Sequence, residues 1–76
     1  MNNEVERIIG QNIKRIRESK GMTQDTLAAK LQLNGCDITR SALAKIEVGQ
    51  RHLYPDEIIL IKEILGTDFE KIFDIK

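Results

Sequence analysis

The chain has 76 residues, 41% of them apolar and 32% charged, with a formal net charge of zero. That length allows one small domain over residues 1–76, and the apolar share is too high for a disordered chain. A single cysteine excludes an internal disulfide and a thiol-rich metal site, and it fits a reducing cytoplasm.

The N-terminus, Met1-Asn-Asn-Glu-Val-Glu6, has no basic region followed by an apolar run, so no signal peptide is expected. No apolar stretch approaches membrane-spanning length. The charges are unevenly spread. Residues 1–53 carry nine Lys/Arg against six Asp/Glu, whereas residues 54–76 carry three against six.

A first helix is predicted from Val5 to Lys20. Val5, Ile8, Ile9, Ile13 and Ile16 line one face, while Arg7, Lys14, Arg15 and Glu18 lie largely off it. Gly10 interrupts this pattern at a cost of roughly 1 kcal/mol relative to alanine. Either a neighbouring helix approaches closely there, or the helix starts late. Gly21 ends it. A second helix begins after Thr23, a good N-cap, with an apolar face of Leu27, Ala28 and Leu31 reaching Leu33. Asn34-Gly-Cys-Asp37 then has the composition of a turn.

The third helix is short. Thr39 can cap its start, and Gly49 can end it in a left-handed conformation. Ile38, Ala42, Leu43 and Ile46 form its buried stripe. Arg40, Ser41, Ala44 and Lys45 fall on the opposite side, which holds two cations and no carboxylate. A slim cationic helix of this kind can enter the major groove of DNA; the alternative is an ordinary amphipathic helix whose charges solvate it. Gln50 to Tyr54 is a loop. A fourth helix runs from Pro55 to Leu65, with Asp56 and Glu57 at its positive end. It is apolar on more than one side and therefore needs more than one partner surface. A last short helix, Asp68 to Phe73, is expected to send Phe69, Ile72 and Phe73 into the core.

No repeat and no credible strand is present, so the expected fold is an all-α, compact five-helix bundle. Its second and third helices have the order of a helix-turn-helix. Catalysis is not expected. His52 and Cys36 stand alone, and the chain has no phosphate-binding Gly-rich loop and no two-histidine metal spacing. No cofactor, metal or small-molecule ligand is indicated. Cys36 reads as a turn residue and His52 as a surface loop residue.

Ile13-Lys-Arg-Ile-Arg-Glu-Ser-Lys-Gly-Met-Thr-Gln-Asp-Thr-Leu-Ala-Ala-Lys-Leu31 and Ser41-Ala-Leu-Ala-Lys-Ile-Glu-Val-Gly49 resemble the phage repressor and Cro-type helix-turn-helix domain, as in the xenobiotic-response-element-like regulators. Ile58 to Gly66 resembles its fourth helix. The resemblance implies a lambda-repressor-like bundle that binds double-stranded DNA as a homodimer on a palindromic operator. It makes Thr39–Val48 the recognition helix. It places Arg40, Ser41, Ala44 and Lys45 at base edges, and Gln24, Thr39, Gln50 and Arg51 near phosphates. It also pairs Arg17 with Glu47 as a structural ion pair.

Two departures stand out. The turn between helices two and three is several residues longer than the family usually has, so either helix two continues or a loop protrudes at Asn34-Gly35-Cys36. A loop there would lead towards the DNA backbone or remain solvated. The zero net charge is the other departure. It leaves open a protein-interaction module on the same scaffold without DNA binding, which the cations at Arg40 and Lys45 oppose. A dimer through helix four, the short last helix and the C-terminal tail is expected if Leu60 is left exposed; otherwise Leu60 caps the monomer's own core.

Overall fold

The computed structural model describes residues 3–75. Five helices follow in order: α1 (Asn3–Ser19), α2 (Gln24–Leu33), α3 (Arg40–Glu47), α4 (Pro55–Leu65) and α5 (Phe69–Ile72). No strand occurs among the described residues. The bundle measures 31 × 21 × 19 Å. α1 packs on α3 and α5, and α2 packs on α3 and α4. Ile13, Leu27, Leu31, Ile38, Leu43, Ile46, Ile61, Leu65 and Ile72 make the core, so every helix contributes at least one residue to it.

Local chemistry sets the helix ends. The Thr23 and Thr39 hydroxyls accept from the amides of Thr26 and Ala42, each at 3.1 Å, and Asp68 caps α5 through Lys71 N–H. Each of these side chains satisfies a helix N–H that has no partner within its helix. α3 ends at Glu47, and Gly49, with φ +78°, closes it just beyond the C-cap Val48. Gln50 N–H bonds to Lys45 O at 2.8 Å and Gly49 N–H to Ile46 O at 3.1 Å, the paired closure that a left-handed residue permits.

Gly10 resolves in favour of close approach, because α1 begins well before it, at Asn3. A Cβ on Gly10 would lie 2.2 Å from Ile46 O and 2.9 Å from the Glu47 carbonyl carbon. The α1 backbone thus rests directly on the C-terminal backbone of α3.

The lengthened turn is a pinned loop. α2 ends at Leu33, and Cys36 N–H returns to Leu31 O at 2.9 Å. Gln32 Nε2 donates to Ile38 O at 3.0 Å, and Asn34 Nδ2 to Lys30 O at 2.8 Å. Ile38 is fully buried and anchors the far end.

Two expectations about burial are corrected, and the alternatives for Leu60 are decided. Leu33 is not part of the α2 core face; it is 86% exposed. At about 100° per residue it points away from Leu31, two positions back. Phe69 and Phe73 are exposed, and only Ile72 of α5 enters the core. One turn apart, the two rings stack on the outer side with centroids 6.0 Å apart. Leu60 is partly buried against the core, whereas Ile59 is 50% exposed.

Asn12, on α1, is a buried polar residue that ties down the C-terminal segment. Its Nδ2 donates to Ile72 O at 2.9 Å and to Asp74 O at 2.8 Å, while its Oδ1 accepts from Arg15 at 2.7 Å.

Candidate nucleic-acid interface

The outward face of α3 is held in place from behind. Glu47 faces inward, and its carboxylate meets the Arg17 guanidinium in a two-pronged contact, Nε to Oε2 at 2.7 Å and Nη2 to Oε1 at 3.0 Å. Both residues are buried, at 5% and 2% exposure. Arg17 Nη1 also donates to Met22 O at 2.8 Å, and Gln24 Nε2 donates to Glu47 Oε1 at 2.9 Å. This network joins α1, the α1–α2 turn, the start of α2 and α3. The hydrogen bond to Glu47 raises the Arg17 pKa, against the lowering effect of burial. The guanidinium therefore stays charged.

Arg40, Ser41 and Lys45 are exposed on α3, and Ala44 between them is half-buried. The one carboxylate of this helix is Glu47, on the inward side, so α3 presents cations and a hydroxyl without a competing anion of its own. Arg40 is not isolated. Its Nε lies 3.4 Å from Oδ1 of Asp25, the second residue of α2.

The residues expected near phosphates divide into two groups. Thr39 and Gln50 flank α3 and are exposed, with the Thr39 hydroxyl already accepting the capping bond. Gln24 and Arg51 have internal partners. Gln24 is half-buried on Glu47. Arg51 makes a two-pronged pair with Glu57, at 2.8 and 3.1 Å, and also donates to His52 O. That pair raises the Arg51 pKa and holds the Glu57 carboxyl below its ordinary range, the hydrogen bond being the main cause in both. Glu57 also accepts from Tyr54 N–H at 3.0 Å, which fixes the start of α4.

Three residues important to the arrangement were missed in the sequence: Asp25, Glu57 and Asn12. Glu57 reads there only as a first-turn acid that favours a helix's positive end, and Asp25 carries no reading of its own. Their partners come from other segments, which periodicity cannot reveal. Asn12 sits beside the apolar stripe of α1 with no local signal of burial. Cys36 is half-buried in the lengthened turn, and burial pushes its thiol up, away from the reactive thiolate. His52 Nδ1 lies 3.1 Å from Glu6 Oε1, linking the α3–α4 loop to α1. No helix among the described residues is long and apolar enough to cross a membrane.

Comparison with known proteins agrees with this geometry. A family model described as helix-turn-helix matches residues 13–72, from the middle of α1 through α5. Control protein C.BamHI of Bacillus amyloliquefaciens is 33% identical over 75 residues, an alignment covering 97% of this chain and 86% of that protein. No solved structure gives a significant match. The five helices, their order and both of these matches lead to one conclusion: the chain belongs to the Cro/C1-type helix-turn-helix family of DNA-binding transcription regulators.

Proposed function

We propose that this regulator reads a specific duplex sequence by placing Thr39–Val48 in the major groove. The observation that carries the reading is the outward face of α3, where Arg40, Ser41 and Lys45 stand exposed with no carboxylate from the same helix among them. Arginine offers two donors to O6 and N7 of guanine, and lysine reaches the same acceptors. Ser41 either donates or accepts and specifies little. Ala44 meets a thymine methyl without holding the helix off the bases. Thr39, Gln50 and the first turn of α2 approach phosphates, where free N–H groups and the helix dipole favour an anion. Arg51 joins them only by loosening its pair with Glu57. The similarity to a protein named for control fits a regulatory role.

The acting species in this reading is a homodimer joined through α4, α5 and the tail. Ile59, Phe69, Phe73 and Ile75 are exposed apolar residues in those segments. Two recognition helices about 34 Å apart, one turn of duplex, then select a near-palindrome.

Selection of bound sequences from a random DNA pool, followed by titrations on the selected duplex and a scrambled one at several salt concentrations, tests the reading. Arg40→Ala should cost about 1–3 kcal/mol on the selected duplex and relax preference at one base pair per half-site. Equal losses on both duplexes for Arg40→Ala and Lys45→Ala would reject base reading by α3. No binding to any duplex at low salt would favour a protein-interaction module instead.

A further inference from the structure

We propose that Asp25 is a positioning residue for sequence discrimination, holding Arg40 by its Nε so that the two terminal nitrogens face outward for a guanine. The inference rests on the reading of α3 as the base-reading helix. Arg40 is the first residue of α3 and Asp25 the second of α2, so the pair spans the two halves of the helix-turn-helix. Both side chains are exposed, bordering an open cleft that also contains Thr23, Gln24 and Glu18. The contact is between Nε and Oδ1, at 3.4 Å. A guanidinium is planar and carries five N–H donors. With the carboxylate on the Nε edge, Nη1 and Nη2 are the donors that would serve an end-on bidentate bond to O6 and N7. An unanchored arginine loses more side-chain freedom when it forms that bond.

The position of Asp25 adds to the argument. The first turn of α2 is where a phosphate would be welcomed by free N–H groups. A carboxylate at that place repels the backbone of every duplex alike. On a DNA-binding surface this lowers general affinity, and the lowering is offset only on the sequence that Arg40 reads. Asp25 thereby lowers affinity for all DNA alike and raises the specificity ratio through Arg40 alone. The competing explanation is that Asp25 only favours the positive end of α2.

The test is a double-mutant cycle of Asp25→Ala and Arg40→Ala, with affinities measured on the selected and scrambled duplexes. An exposed pair contributes little to stability, so the variants should fold, and their melting curves check that they do. In the parent background Asp25→Ala should raise affinity for scrambled DNA and lower the selected-to-scrambled ratio about tenfold, within the range of one bidentate base contact. In the Arg40→Ala background it should leave the ratio unchanged. NMR relaxation of the Arg40 Nε–H in the free protein should show greater motion once Asp25 is removed. A ratio that Asp25→Ala leaves intact in the parent, or lowers equally without Arg40, overturns the proposal while leaving base reading by α3 standing. If Arg40→Ala itself leaves the ratio intact, the reading of α3 fails and the proposal fails with it.

Discussion

Glu47 shows how one residue serves both the fold and the proposed interface. A carboxylate at 2% exposure persists because Arg17 and Gln24 together supply three donors to it. Removing one member of such a pair leaves the other charged, dry and uncompensated. Glu47→Ala should therefore cost about 3–5 kcal/mol, read as an earlier urea midpoint. Replacing both partners together, as in Arg17→Met with Glu47→Leu, should recover much of that loss; a double variant no better than the single would contradict the burial argument. Glu57 makes a different prediction, tied to pH. Its folded pKa is lowered, chiefly by the hydrogen bond from Arg51. A lowered carboxylate contributes stability that is complete above its ordinary value of 4.5 and is lost as pH falls through the folded value. Glu57→Gln should thus cost about 1–2 kcal/mol near neutrality, and the gap to the parent should close in acid. A gap that persists unchanged at pH 3 would point to packing, not charge.

At the scale of the helix, Gly10 gives the sharpest test. Alanine is intrinsically better than glycine inside a helix by roughly 1 kcal/mol, so Gly10→Ala would stabilise an isolated α1. In the bundle the new methyl meets a backbone carbonyl at 2.2 Å, which cannot rotate away. Gly10→Ala should therefore destabilise by about 1–3 kcal/mol or more and displace α3. A Tm equal to or above the parent's would show that the helices separate without cost. Helix limits were legible in the sequence because caps are local. Thr23, Thr39, Pro55 and Asp68 announce their helices within three or four residues. Burial within a helix was less legible where apolar residues occupy several sides. In α4, Ile59 and Leu60 are neighbours in a continuous apolar run, and only the position of α2 decides which of them is covered. Phe69 of α5 and Phe73 just after it failed as core residues for a similar reason. A helix of four residues has one inward position, and Ile72 takes it. In the candidate interface, the identity of the α3 face followed from a four-residue period. The partners of Arg40, Arg51 and Gln24 did not, since each lies on a different segment.

Taken whole, the molecule separates its chemistry by end. The α3 face is cationic, whereas α4, α5 and the tail combine acidic residues with exposed Ile59, Phe69, Phe73 and Ile75. This division allows net zero charge in a DNA-binding chain, because phosphates respond to the local field and surface charges beyond about 8–10 Å are screened at physiological salt. Self-association is the prediction at this scale. Ile59→Glu with Phe73→Ser should shift sedimentation from dimer to monomer and weaken operator binding, while leaving the melting behaviour of the dilute protein close to the parent's. A parent that sediments as a monomer at high concentration would confine dimerisation to the DNA.

The single carboxamide of Asn12 bears on motion. Four residues are too few to sustain helix by themselves, so α5 owes its order to Ile72 in the core and to the two bonds from Asn12. Such a segment should open as a unit, without global unfolding, at a free energy below that of the α1–α3 core. Native-state hydrogen exchange of Ile72 and Phe73 N–H should report that opening. Asn12→Ala should accelerate it while leaving Leu43 and Ile46 protected. If the same segment forms the joint between two copies, raising the protein concentration should slow exchange there first, so that assembly is legible in the protection of amides within one protomer.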